Sequence, residues 1–119
     1  LSTPTIPMKD IPHALLSRIQ SILEEDLDFY RKILGSGASV LMTEQLVQIT
    51  TDYLLQQEEA FGIQNHEQFI LMIRFCAGGL SNLYQDWFSG KFNFSLDELT
   101  LQAEVLLSGI MVCILHSDA

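Results

Sequence analysis

Residues 65–90 read NHEQFILMIRFCAGGLSNLYQDWFSG, and the fold turns on how this stretch is read. Asn65 followed three residues later by Gln68 is a capping box, which opens a helix by satisfying its first free backbone donors. Phe69, Ile73, Cys76, Leu80, Leu83 and Trp87 then recur at steps of three and four, which makes one helical stripe. Ile70, Met72 and Phe75 fall on other faces. A helix apolar on more than one face is buried on more than one side. Gly78-Gly79 sits in its middle, where each glycine costs about 1 kcal/mol relative to alanine. Close approach of another backbone would offset that cost; the competing reading is a local kink. Ser89-Gly90 closes the helix.

A second capping box, Ser95-Leu96-Asp97-Glu98, follows after the short loop 91–94, with both acids well placed for the helix dipole. The helix it starts runs to near His116. Leu99, Ala103, Leu106 and Ile110 share one face, Leu107, Met111 and Ile114 a neighbouring one, and Val105 and Val112 a third. Ala103, Ser108 and Gly109 allow tight packing. Two long apolar helices joined by a tight loop carry more apolar surface than a small monomer hides. The expectation is a dimerisation hairpin.

Upstream, the pattern predicts a helix over 12–34, with Pro12 in its first turn and Leu16, Ile19, Leu23, Leu27, Tyr30 and Leu34 as its stripe. Glu24, Glu25, Asp26 and Asp28 read as a solvated face, and Gly35-Ser36-Gly37 as its stop. A further helix is expected over 39–61, with Met42, Leu46, Ile49, Tyr53 and Phe61 inward and Gly62 ending it. No strand pattern competes. Residues 1–10, rich in Ser, Thr and Pro at their start, read as a linker to one domain over 11–119. The predicted class is all-α, a bundle of four to five helices.

Composition narrows the function. The chain has 119 residues, 48% hydrophobic and 18% charged, with fifteen acidic against six basic side chains and a net charge of −9. The six basic residues are scattered, so no stripe exists to neutralise phosphates or an anionic membrane surface. Cys76 and Cys113 both lie in apolar runs and read as buried free thiols, which favours a reduced, cytoplasmic setting. The apolar segment 105–115 is too short to span a bilayer.

No catalytic constellation can be assembled. His13, His66 and His116 are scattered without metal-ligand spacing, and neither a phosphate loop nor a dinucleotide fingerprint is present. No metal or cofactor is expected. What remains is a set of aromatic and sulfur-bearing side chains on inward stripes. Phe29, Tyr30, Met42, Tyr53, Met72 and Phe75 are the candidates for a small-molecule pocket between helices, with a Tyr hydroxyl to orient the ligand. Ordinary core packing is the competing reading for each.

Three stretches carry a family resemblance. Leu27-Asp28-Phe29-Tyr30-Arg31-Lys32-Ile33-Leu34 is one. Phe75-Cys76-Ala77-Gly78-Gly79-Leu80 with Asp86-Trp87-Phe88-Ser89-Gly90 is the second, and Ser95-Leu96-Asp97-Glu98-Leu99 the third. Together they resemble the C-terminal regulatory domain of TetR-family bacterial transcriptional regulators. The resemblance implies that the last two helices pair with those of a second copy as an intersubunit four-helix bundle, while the other helices enclose a pocket for a small-molecule effector. It also implies operator DNA contact through an N-terminal helix-turn-helix. No segment of this chain pairs a short turn with a basic recognition helix, so the fragment itself is expected to bind no nucleic acid. The residues expected at the homodimer interface are Phe69, Ile73, Cys76, Ala77, Leu80, Tyr84, Leu99, Ala103, Leu106 and Ile110. The alternative reading is a helical dimerisation or interaction module with no ligand.

Overall fold

A computed structural model describes residues 7–35, 39–62 and 65–116, apart from the side chains of 33–35, 39–41 and 115–116. Among the described residues every regular element is helical. A 3-10 turn (Met8–Asp10) leads into α1 (Ile11–Glu25), followed by α2 (Leu27–Gly35), α3 (Ser39–Gln56), the single turn α4 (Glu58–Phe61), α5 (His66–Phe88) and α6 (Leu96–His116). Most of the segment read as linker lies outside the described residues. Its end is the 3-10 turn, and Met8 packs against the core.

The expected first helix is two. Asp26, at φ −144° and ψ 54°, ends α1. Its carbonyl then accepts from the Tyr30 amide at 3.1 Å as α2 begins. The acidic run explains the break: Glu24, Glu25 and Asp26 lie at a helix C-terminus, where the dipole disfavours negative charge, while Asp28 lies in the first turn of the next helix, where it is favourable. The second expected helix also divides, at Gln57, which is fully buried. Gly62, at φ +60°, ends α4 in the left-handed conformation that glycine adopts without steric cost. Ser36 and Gly37, expected to stop the first helix, lie outside the described residues.

Both capping boxes form as expected at their first bond. Asn65 accepts from the Gln68 amide at 3.2 Å, and Ser95 Oγ from the Glu98 amide at 3.1 Å. The loop between α5 and α6 is pinned by the Trp87 indole N–H, which donates to the Phe94 carbonyl at 2.7 Å.

The helices assemble as two antiparallel pairs. α3 lies along α5, held at one end by Gln85 donating to Thr43 Oγ1, and past its other end the Phe61 ring of α4 packs on Phe69 of α5, centroids 5.2 Å apart. α1 lies along α6, where His13 Nδ1 is 2.8 Å from Glu104 Oε1 and Gln20 bonds to Asp97. The α5–α6 hairpin joins the pairs, with the Tyr84 hydroxyl sharing a hydrogen bond with Thr100 at 3.1 Å inside it. Ile11, Leu15, Leu16, Ile19, Leu54, Phe69 and Tyr84 are fully buried at the centre. At roughly 1.5–3 kcal/mol for each fully buried large apolar side chain, this packing is the main favourable term of the fold.

Candidate functional site

Among the described residues, the four most exposed large apolar side chains lie on the outside of the α5–α6 hairpin. Phe75 is 70% exposed, Leu71 68%, Val105 62% and Leu106 58%. Helical spacing sets this face. Leu71, Phe75, Gly78 and Asn82 follow one another at three- and four-residue steps along the crest of α5, opposite the stripe that fills the core. Leu106 stands between two apolar hollows. One, of about 340 Å³, has Phe75, Gly79, Asn82, Leu83 and Ile110 in its wall. The other, of about 590 Å³, is lined by Val105, Gly109, Ile110, Cys113 and Ile114. Gly78 and Gly79 are on this open side: a Cβ placed on either would meet nothing within 4 Å. The close backbone approach expected at the glycine pair is therefore not supplied by any described residue.

Eight of the ten residues expected at an intersubunit contact are covered by the chain's own helices: Phe69, Ile73, Cys76, Ala77, Leu80, Tyr84, Leu99 and Ala103. Of these, Cys76, Leu80 and Ala103 reach the floor of the smaller hollow. Leu106 is exposed and Ile110 half-buried. The reason is geometric. The Phe69–Ile73–Leu80 stripe and the Leu71–Phe75 stripe both repeat at helical spacing, and α3 and α6 cover the first. Cys113, read from sequence as buried, is exposed; Cys76 is buried.

The six candidate ligand residues do not converge on one cavity. Tyr30 is buried and donates to Gln45 Oε1 at 2.9 Å, while its neighbour Phe29 is 51% exposed. Met42 and Met72 are core residues. Phe75 belongs to the outer face. Tyr53 lines a polar crevice of about 170 Å³ between α1 and α3, with Arg18, Gln48, Asp52 and Gln56. Burial raises the Tyr53 phenol above its ordinary range, with the nearby Arg18 guanidinium pulling the other way.

A larger groove, about 430 Å³, runs between α3 and α5. Val47, Gln48, Thr51 and Leu55 form one wall, Ile70, Arg74 and Gly78 the other, and Ile73 and Ala77 contribute from the core. Sequence reasoning did not single it out. Its signal was Arg74, the one charge in the apolar run 69–77.

The remaining polar chemistry is sparse. Burial pushes the Cys76 thiol up to about 11 and the Tyr84 phenol up to about 12, the latter against the opposing effect of the Thr100 hydrogen bond. Both side chains are neutral near pH 7, and a protonated buried thiol is a poor nucleophile. Thr50 is fully buried, and its hydroxyl has no partner among the described residues. No group of three His, Cys, Asp or Glu side chains among the described residues could hold a metal ion. No helix of the described chain is long and apolar enough to cross a membrane.

Comparison with known proteins agrees with this architecture. No curated protein and no solved structure matches the chain. The family model of the TetR transcriptional regulator C-terminal region matches residues 10–109, which takes in the first five helices and α6 as far as residue 109. The chain therefore belongs to the TetR family of transcriptional regulators, as a C-terminal regulatory domain.

Proposed function

We propose that this domain self-associates through the outer face of the α5–α6 hairpin, and that it senses a small-molecule effector on behalf of a helix-turn-helix outside the present chain. The observation that carries the reading is the exposed apolar surface around Phe75 and Leu106, with hollows and protruding side chains adjacent on one patch. A two-fold interface must be self-complementary, and a patch that carries both knobs and hollows meets that requirement in kind: the side chain that protrudes from one copy would meet the hollow of the other. Of the residues expected at the interface, Leu106 and Ile110 lie on this face. Leu71, Phe75, Gly79 and Cys113 join them in the proposal. No step of this function is catalytic, and a regulator acting on DNA works in the cytoplasm.

Effector sensing needs differential affinity for two arrangements of the helices. The two antiparallel pairs, joined through the hairpin, offer such arrangements. A ligand bound against α3 and α5 would shift them relative to α1 and α6, and with them the position of an attached DNA-binding head.

The test is sedimentation equilibrium of the chain. A dimer is expected, and Leu106→Asp converts it to a monomer of unchanged helical content, because the dimer would bury an unpaired charge. A wild-type chain that stays monomeric at all concentrations removes the proposal. The second reading, an association module without a ligand, is favoured by the placement of Tyr30, Met42 and Met72 in packed core rather than around a cavity. It predicts that no small molecule changes the melting temperature.

A further inference from the structure

We propose that the groove between α3 and α5 is the effector seat and that its ligand is a small apolar carboxylate, with the hydrocarbon on Ile70, Ile73 and Leu55 and the carboxylate on Arg74. The inference rests on the reading of the domain as effector-sensing, and it names the place and chemistry of the ligand.

Size and placement together separate the candidate seats: the hairpin hollows, at about 590 and 340 Å³, are large enough but lie on the face proposed for self-association. Small-molecule sites span roughly 300–1,000 Å³, mostly apolar with a few polar groups that fix orientation. The α3–α5 groove, at about 430 Å³, lies in that range and has an apolar floor. The α1–α3 crevice, at about 170 Å³, is below it and is polar on nearly every side.

Charge selects the ligand class. Arg74 makes no ion pair or hydrogen bond with any described residue, in a chain with fifteen acidic side chains. No acidic side chain lines the groove. Asp52, one residue beyond Thr51 on α3, accepts from Gln48 Nε2 at 2.8 Å. The guanidinium is thus an uncompensated cation at the edge of an apolar trough. Its planar fork matches a carboxylate in bidentate fashion. An organic cation meets repulsion there. A phosphate dianion finds a single cation, the Thr51 hydroxyl and the Gln48 amide, which already donates to Asp52, too few donors to replace its hydration shell. An apolar body with one carboxylate fits both halves of the site.

The test uses octanoate as the probe, with 1-octanol and octylammonium as its uncharged and cationic counterparts, in calorimetric titrations of the full chain. Octanoate is expected to bind once per chain, about tenfold or more tighter than octanol, from one charge-assisted contact, with no binding of octylammonium. Arg74→Gln should remove the octanoate advantage and leave octanol affinity unchanged. Leu55→Glu, at a partly exposed wall position that tolerates a polar side chain, should abolish octanoate binding while the thermal melt stays cooperative. Equal affinity for octanoate and octanol, no octanoate binding, or an undiminished octanoate affinity in Arg74→Gln would each overturn the proposal. Sedimentation of the same samples keeps the two readings apart. A chain that dimerises without binding octanoate loses this inference alone, whereas a monomer that binds octanoate retains the seat and loses the hairpin interface.

Discussion

The two sides of α5 are similarly apolar and differently employed. Toward the core, Phe69, Ile73, Cys76, Leu80 and Tyr84 are almost completely buried by α3 and α6. Toward solvent, Leu71 and Phe75 stand more than two-thirds exposed beside Gly78 and Gly79. The difference teaches that hydrophobic spacing identifies which residues share a face, while the topology of the remaining helices decides which face is left open.

The largest expected effect comes from exchanging the roles of the two sides. Ile73→Asp places an unpaired charge in the core at a residue 1% exposed. The cost, about 3–5 kcal/mol or more, is a large part of the stability of a domain this size. Circular dichroism should show loss of the cooperative melt. The same substitution on the open side, Phe75→Asp, should leave the melt cooperative and weaken self-association about 100-fold or more, as read by sedimentation. If both variants unfold, the outer side is core in disguise and the contrast fails.

A middle-sized effect follows from the buried hydroxyl pair inside the hairpin. Tyr84→Phe leaves Thr100 without its partner and should cost about 1–2 kcal/mol in urea unfolding. The pH dependence has a definite sign. Tyr84 is pushed from an ordinary 10.0 up to about 12, and Cys76 from 9.0 to about 11. Each loses its proton in the unfolded chain before it does in the folded one, so alkali favours unfolding. Stability should be flat in this respect below about pH 9 and fall progressively towards pH 12. Tyr84→Phe should flatten the upper part of that fall.

The thiols sharpen the comparison further. In Leu106→Asp, which is expected to be monomeric, Cys113 should react rapidly with a disulfide reagent and Cys76 only on unfolding, in line with their exposure. In the associated wild type, Cys113 should slow while Cys76 stays silent. Equal Cys113 rates in the two proteins would move the interface off the hollow that Cys113 lines. The smallest effect is expected for Gly78→Ala measured in the same monomeric background. Its new Cβ meets nothing within 4 Å, so the helix gains about 1 kcal/mol or less.

Local signals were the legible ones. Asn65 and Ser95 announce helix starts through side chains that act within one turn, and both caps form. The break at Asp26 was hidden because Leu23, Leu27 and Tyr30 keep helical spacing straight through it, so periodicity alone runs the two helices together. The open face and the α3–α5 groove depend on which helix lies against which, and no residue spacing within a single helix encodes that. For the same reason Phe29 and Tyr30, neighbours in sequence whose rings meet edge to face 5.7 Å apart, differ in burial: the first is half exposed while the second is buried, its ring 6.3 Å from that of Phe88.

The indole of Trp87 that pins the loop before α6 belongs to the single tryptophan of the chain. Light absorbed at the red edge of the aromatic band is therefore re-emitted from one known place, the corner where α5 hands over to α6. Emission wavelength and quenching report on that corner alone, and its donated hydrogen bond makes the emission sensitive to whether the corner stays closed. Any opening of the hairpin, by alkali, by ligand or by loss of a partner copy, can be timed without attaching a label.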